Sequence, residues 1–480
     1  HAAGMARAIR EAVDSTGSRQ RRWLTLGFIA TLAIGGGLHG QPASRFVEAL
    51  PENGKLVNEA RSRLNAYRWR SGQDPRILAR IYDARGSQLT ALRTILDDRR
   101  RPAYERWTAL QRLTGALRDA GEADAAAALW RSGSALFGDD DLAAAGRRLA
   151  AITLEQDGPI QILSGGDGLN SPEFEYLPIP ELSGDRIYFT ARNRAGRTGG
   201  EDIWLAVRQP GSKDNPSFRA APIPGLNTKE NEGPDAISPN GTTLYMFGNY
   251  PGSRGQGDIF SSTLGKSGWG PVRPLPAPIN SPYFESVAFV SADGRALLFA
   301  SDRPGGYYPY KAKNLFAGGD WWGNTDLYVS FIQADGSFAK PRNLGSWVNT
   351  PGSERSPYLH PDGKTLYFAS SGYAENSFGD MDIYKSVRLD ETWQNWSPPE
   401  NVGTVVNGSG TDWGFRLTAS ALEGYFSGVQ KDNQGGDDIY RITPLPKRAQ
   451  PAEPVTAVRG QILDENGNPV QAEIEWQDRE

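Results

Sequence analysis

Ten acidic side chains recur at fixed places in this chain, and carboxyls held at fixed places can move protons. Five of them follow an Asn by five positions: Glu175 after Asn170, Glu232 after Asn227, Glu285 after Asn280, Glu354 after Asn349 and Asp412 after Asn407. The other five open an Asp-aliphatic-aromatic triplet: Asp202-Ile203-Trp204, Asp258-Ile259-Phe260, Asp326-Leu327-Tyr328, Asp382-Ile383-Tyr384 and Asp438-Ile439-Tyr440. Two carboxyls in unlike environments are the equipment of general acid–base hydrolysis. Both sets here repeat in every unit, whereas catalysis needs an asymmetric pair. The repetition therefore points to structural carboxylates that accept hydrogen bonds from turn backbone or from a neighbouring unit. The Asp set is expected to fix the loop in front of its own strand.

Other chemistry is thinly supplied. Cysteine is absent, which excludes disulfides, thiolate metal sites and thiol catalysis. Of the three His, His1 and His39 lie near the N-terminus, and His360 stands in a Pro-Asp-Gly turn where a surface position is expected. One His does not make a His-based zinc site. No G-x-S-x-G elbow, phosphate loop or dinucleotide fingerprint occurs. The net charge of −4 gives nucleic acid no electrostatic footing. The expectation is a chain with no catalytic residue, no cofactor and no metal.

The elements that position the acids follow from their spacing. Eighteen residues after each Asn stand Tyr188, Tyr245, Leu298, Tyr367 and Tyr425, each followed by Phe or Met. The Asp residues lie 56, 68, 56 and 56 apart. Each unit parses into four strands: one after the acid, a second at the Leu-Tyr-Phe run, a third at Asp-Ile-Tyr and a Pro-rich edge such as 341–347. Asn240-Gly241, Asp293-Gly294 and Asp362-Gly363 supply tight turns between the first two. Five four-stranded repeats make a mainly β fold, a five-bladed β-propeller. The fifth unit ends after Ile442 without a fourth strand, and 159–163 reads as the stray strand that closes the ring.

Ser238-Pro239-Asn240-Gly241-Thr242-Thr243-Leu244-Tyr245 and His360-Pro361-Asp362-Gly363-Lys364-Thr365-Leu366-Tyr367 each run on to an Asp-Ile-aromatic triplet. This resembles the WD40-like (PD40) repeat of TolB-type propellers over about residues 158–445. Unit five departs, with Ser420-Ala421 at the turn, and unit three carries about twelve extra residues.

The flanks extend the reading. Arg19, Arg21 and Arg22 precede an apolar run from Trp23 to Leu38, shorter than the ~20 residues of a membrane span. Residues 1–44 thus read as an export segment. Residues 45–157 have helical periodicity, and Leu110, Leu113, Leu117, Gly121, Ala126, Trp130 and Gly138 fit the tetratricopeptide spacing. After a linker at 446–457, residues 458–480 read as two strands resembling the start of a carboxypeptidase-regulatory-like β-sandwich. This order of parts resembles envelope proteins of the OmpA-family type, including the periplasmic component of type IX secretion. The resemblance implies a periplasmic, outer-membrane-associated location and envelope or peptidoglycan-associated partners.

The repeat breaks in the unit-three insertion, which holds Tyr307, Tyr308, Tyr310, Lys311, Lys313, Phe316, Trp321 and Trp322. Aromatic clusters with a few cations are typical contact hot spots. The leading expectation is a non-catalytic envelope scaffold that docks other proteins. One alternative is a carbohydrate-active propeller, which two non-equivalent carboxylates in one deep pocket would favour. Another is a TolB-like periplasmic helper that binds a lipoprotein.

Overall fold

The computed structural model describes residues 30–33 and 89–458, apart from 120, 156–159, 182, 212–215, 256, 308–324, 351, 419–422 and 431–432. The chain divides into two compact units. Thr31–Thr456 holds the architecture set out here, and of the other, His1–Ala30 with Ala457–Glu480, only three residues are described. In the apolar N-terminal run the described part is a short strand, β1 (Ala30–Ala33). Among the described residues no helix is long and apolar enough to cross a membrane.

Five antiparallel sheets form the blades of a β-propeller, as the spacing predicts. Strand β2 (Gln161–Ser164) comes first in the chain. Blade 1 is β3 (Phe174–Pro180), β4 (Arg186–Arg192), β5 (Glu201–Arg208) and β6 (Phe218–Pro222). Blade 2 is β7 (Glu232–Ile237), β8 (Thr243–Gly248) and β9 (Asp258–Gly265), with the short β10 (Gly268–Trp269) and β11 (Arg273–Pro274) both on the outer side of β9. Blade 3 is β12 (Glu285–Val290), β13 (Ala296–Ser301), β14 (Asp326–Phe331) and β15 (Arg342–Asn343). Blade 4 is β16 (Glu354–Leu359), β17 (Thr365–Ser370), β18 (Asp382–Val387) and β19 (Glu400–Asn401). Blade 5 is β20 (Trp413–Leu417), β21 (Gly424–Gly428) and β22 (Asp438–Thr443).

Strand β2 completes blade 5: Gln161 to Ser164 pair antiparallel with Thr443 to Tyr440. One sheet thus holds both ends of the ring, which removes an open edge. Of the expected closing segment 159–163, Pro159 lies outside the described residues and Ile160 precedes the strand.

The five Asn residues turn out to be the seams between blades. Asn227 accepts from the Ile203 N–H through Oδ1 at 2.8 Å and donates from Nδ2 to the Ile203 carbonyl at 3.1 Å. Asn280 does the same to Ile259, Asn349 to Leu327 and Asn407 to Ile383, each on the third strand of the preceding blade. Asn170 reaches Ile439 in the same way, at 2.8 and 3.0 Å, so the closing seam uses the device of the other four. The second strands of blades 3 and 4 are dry: every residue of β13 and β17 is buried. Burying each Leu, Tyr or Phe there is worth about 1.5–3 kcal/mol.

Among the described residues four helices precede the ring: α1 (Leu89–Asp97), α2 (Ala103–Asp119), α3 (Ala123–Ala135) and α4 (Asp140–Thr153). Asp139 caps α4 by accepting from the Asp141 and Leu142 N–H groups at 2.9 and 3.0 Å. Trp107 and Trp130 meet at 5.7 Å in the helical core, which extends onto Phe378 of blade 4. Gln111, wholly buried, donates to the carbonyls of Ser377 and Gly379 at 3.0 and 3.2 Å. The helices therefore dock on the loop between β17 and β18. Residues 45–88 and the expected sandwich strands beyond Val458 lie outside the described residues.

Candidate functional site

Successive side chains of a strand face opposite ways. The acid five residues after each Asn stands at the start of the innermost strand of its blade, second in β3, first in β7, β12 and β16 and one residue before β20, and is at most 1% exposed. The residue after each acid is Tyr176, Gly233, Ser286, Arg355 or Trp413, and all five line one pocket. These positions differ in every blade. They form a layer of specific side chains on a repeated frame.

The backbone beside that layer is strained. Every innermost strand carries a one-residue bulge against its neighbour, at Tyr176/Ile179, Pro234/Ala236, Ser286/Phe289, Arg355/Tyr358 and Trp413/Arg416. Two residues after the acid, φ is +55° at Leu177, +51° at Val287, +52° at Ser356 and +69° at Gly414. Such angles cost a non-Gly residue energy and gather where function fixes the backbone. Blade 2 has Pro234 at this place, whose ring holds φ negative, and its bulge falls on Asp235.

The pocket has a cavity volume of about 290 Å³. Its buried floor is made by Tyr176, Leu177, Asp235, Ser286, Val287, Arg355 and Trp413. Arg192, Asn231 and Asn249 stand exposed at the rim, and Glu201, half-buried, opens β5 beside them. The rings of Tyr176 and Trp413 lie 5.1 Å apart and tilted by 32°, forming one aromatic wall. Phe247 and Phe284, 5.6 Å apart, form another.

Two carboxyls line this cavity, and their surroundings differ. Burial pushes Asp235 up to about 7, against the pull of the backbone at Ala288 and Val287 and the charge of Arg416. Neither of its oxygens has a hydrogen-bond partner of ordinary geometry in the protein. Burial raises Glu201 as well, opposed by a hydrogen bond from the Tyr176 hydroxyl and by the Arg192 charge. Register sets Arg192 directly across from Glu201 on β4. On the floor, burial lowers Arg355 to about 10. Behind the Trp413 wall, Asp437 is raised to about 6 by burial, and Trp413 Nε1 donates to it at 3.4 Å.

The ten repeated acids lie in the seams, away from the lining layer. Glu175 accepts from the Ser171 N–H at 2.8 Å and its hydroxyl at 2.6 Å. Glu232, Glu285 and Glu354 bind the following Thr228, Ser281 and Thr350 in the same double fashion, and Asp412 accepts from the Gly408 N–H. Asp202, Asp258 and Asp382 accept from backbone N–H groups three and four residues upstream, at 198–199, 254–255 and 378–379. Asp438 accepts from Gln434 N, and Asp326 from Tyr307 N at 2.9 Å. Arg194 and Arg303 reach Glu175 and Glu285 at 3.4 and 3.0 Å. In the insertion, Tyr307 is 38% exposed, and Tyr308, Tyr310, Lys311, Lys313, Phe316, Trp321 and Trp322 lie outside the described residues.

His360 departs from expectation. It is buried rather than at the surface, because Nδ1 accepts the Asp362 N–H at 3.2 Å and folds the ring into the turn. Among the described residues no group of three or more His, Cys, Asp or Glu is arranged to hold a metal ion.

No protein-family model and no curated protein sequence matches the chain. Solved structures do. An α-L-arabinofuranosidase from Lactobacillus brevis matches over 64% of this chain and 97% of its own, at 12% identity and a TM-score of 0.35. The xyloglucan PUL GH43B of Bacteroides ovatus matches over 64% of this chain and 56% of its own, at 14% identity and a TM-score of 0.36. A puromycin-hydrolysing peptidase of Mycobacterium tuberculosis matches over 55% of this chain and 45% of its own, at 15% identity and a TM-score of 0.30. The likeness is one of fold. The chain spans about half the length of the second and third of these. The expectation of a chain without catalytic residues is withdrawn, because one cavity is lined by two carboxyls, Asp235 and Glu201, in unlike surroundings. Asp235 and Glu201 belong to neither of the two repeated sets of acids.

Proposed function

We propose that the pocket hydrolyses glycosidic bonds, with Asp235 as the proton donor and Glu201 as the carboxylate that activates water. The observation that carries the reading is one cavity lined by two carboxyls in unlike environments. A carboxyl raised to about 7 keeps its proton near neutral pH and can give it to a leaving oxygen. Glu201, with Arg192 and Tyr176 favouring its ionised form, can take a proton from water. The balance is that of hydrolysis: the C–O bond breaks, the leaving oxygen takes the Asp235 proton, and the water oxygen bonds to the anomeric carbon as Glu201 takes its proton. The aromatic walls suit the apolar faces of sugar rings, and Asn231 and Asn249 can bind hydroxyls. The basic and apolar N-terminal pattern supports an exported enzyme that meets its glycan outside the cytoplasm.

The test is a panel of aryl glycosides and plant and bacterial polysaccharides. Wild-type protein should release product from at least one, and Glu201→Gln should lower the rate by 10²–10⁴-fold, the usual size of a general-base contribution. An Asp235→Asn chain that turns over every responsive substrate at the wild-type rate refutes the assignment.

A further inference from the structure

How the cavity ends decides where a glycan can be cut, an inference that rests on reading it as a glycosidase site. Past the bulge of each innermost strand, a second layer of side chains repeats in register. Ile179, Ala236, Phe289, Tyr358 and Arg416 pair with Tyr188, Tyr245, Leu298, Tyr367 and Tyr425 of the second strands. Phe289 is half-buried and the other four of this layer are buried. Arg416 spans the layer. From blade 5 its guanidinium carbon lies 5.6 Å from the Tyr358 ring of blade 4 and 5.7 Å from the Phe289 ring of blade 3. Those two rings meet edge to face at 5.1 Å. Arg416 Nη1 donates to the carbonyls of Ser356 and Phe415 at 3.2 and 3.1 Å, and its charge acts on Asp235 of blade 2. A side chain from blade 5 that reaches blades 4, 3 and 2 crosses the middle of the ring. The central channel that a propeller encloses is therefore plugged beneath the cavity by Arg416, Phe289 and Tyr358.

We propose that this pocket cuts glycans one ring from a chain end, releasing single sugars, and does not take the interior of a polysaccharide. Its volume of about 290 Å³ falls at the small end of ligand sites, ~300–1,000 Å³, and gives room for one sugar ring and some water. The two aromatic walls bound it at the sides, Tyr176 and Trp413 from blades 1 and 5, Phe247 and Phe284 from blades 2 and 3. Asp235 belongs to the buried floor and Glu201 to the mouth. A bond placed between them lies inside the cavity, and the ring on its deep side meets the plug. An interior bond carries chain on both sides, and the plug leaves the second side no way out. The rest of the substrate leaves through the mouth, past Arg192, Asn231 and Asn249.

Product analysis by mass spectrometry tests this on linear hexasaccharides of xylan, arabinan, galactan, cellulose, mannan and chitin. Dye-crosslinked forms of the same polysaccharides, which release colour only on mid-chain cutting, run beside them. Wild-type protein should turn at least one hexasaccharide into monosaccharide and pentasaccharide as its first products, and release no colour. First products of two to four rings, or colour release, overturn the proposal. So does monosaccharide release that persists in folded Asp235→Asn, since it then comes from elsewhere. Titration calorimetry gives a readout without turnover, on Glu201→Gln and on wild type for any series it does not cleave. Affinity should level off by the disaccharide, with the hexasaccharide within about threefold of it. A gain of about tenfold or more between the two describes an open groove and overturns the proposal. Affinity that levels off, without hydrolysis of any glycan, would uphold the one-ring site and sink the catalytic reading. Mid-chain hydrolysis that Asp235→Asn loses would do the reverse, and neither binding nor hydrolysis of any of these sugars would sink both.

Discussion

Replacing Asp235 by Asn should change how the fold responds to pH, apart from any effect on catalysis. The folded carboxyl sits at about 7 and the ordinary value is 3.8. Between those limits the folded chain holds a proton that the unfolded chain has released. Stability from this group is therefore full below the lower value and is lost as pH rises through the upper one. From pH 5 to pH 8 the loss spans about two units, or roughly 3 kcal/mol at ~1.4 kcal/mol per unit. Asn has nearly the same shape and carries no proton to lose. Urea unfolding of both chains at pH 5, 6, 7 and 8 isolates the Asp235 share, since Asp382 and Asp437, each raised to about 6, remain in both. Wild-type stability should fall with pH by about 3 kcal/mol more than that of Asp235→Asn. Parallel curves would refute the claim that Asp235 is buried and poised near neutral pH.

Three further outcomes follow from the seams and the helix dock. Asn170→Ala removes both bonds to Ile439 at the closing seam and should cost about 2–4 kcal/mol by chemical denaturation, since two buried backbone groups lose partners. Phe378→Ala should cost about 3–4 kcal/mol and make residues 89–153 the first site of limited proteolysis, because that ring joins the helical core to blade 4. Arg303→Met leaves Glu285 buried without its cation, and thermal melts should show a loss that shrinks on acidification as Glu285 gains a proton.

The ring was legible because radial repetition writes itself into spacing. The same Asn, acid, aromatic run and Asp recur wherever the same seam recurs, and closure by the segment before Asn170 followed from counting strands. The seam chemistry was half legible. The acids read as turn acceptors, but sequence gives no hint that Asn227 bridges to Ile203 of the blade before it, a contact made only by the closed ring. The pocket is not legible in what repeats. Its lining is the position that varies, Tyr176, Gly233, Ser286, Arg355 and Trp413, one residue beyond each constant acid. Asp235 carried a signal in retrospect: a Pro-Asp pair inside an innermost strand, where a Pro cannot take the left-handed angle its counterparts adopt. His360 was misplaced because Pro-Asp-Gly describes the turn and not what covers it.

The most direct measurement is the rate of reducing-sugar release from plant and bacterial polysaccharides, followed from pH 4 to 9, in wild type, Asp235→Asn and Glu201→Gln confirmed folded. The account predicts a wild-type rate that falls as pH rises past about 7, where Asp235 loses its proton, and near-total loss in both variants. Release that proceeds equally in all three chains, or no release by the wild type from any glycan, would contradict it.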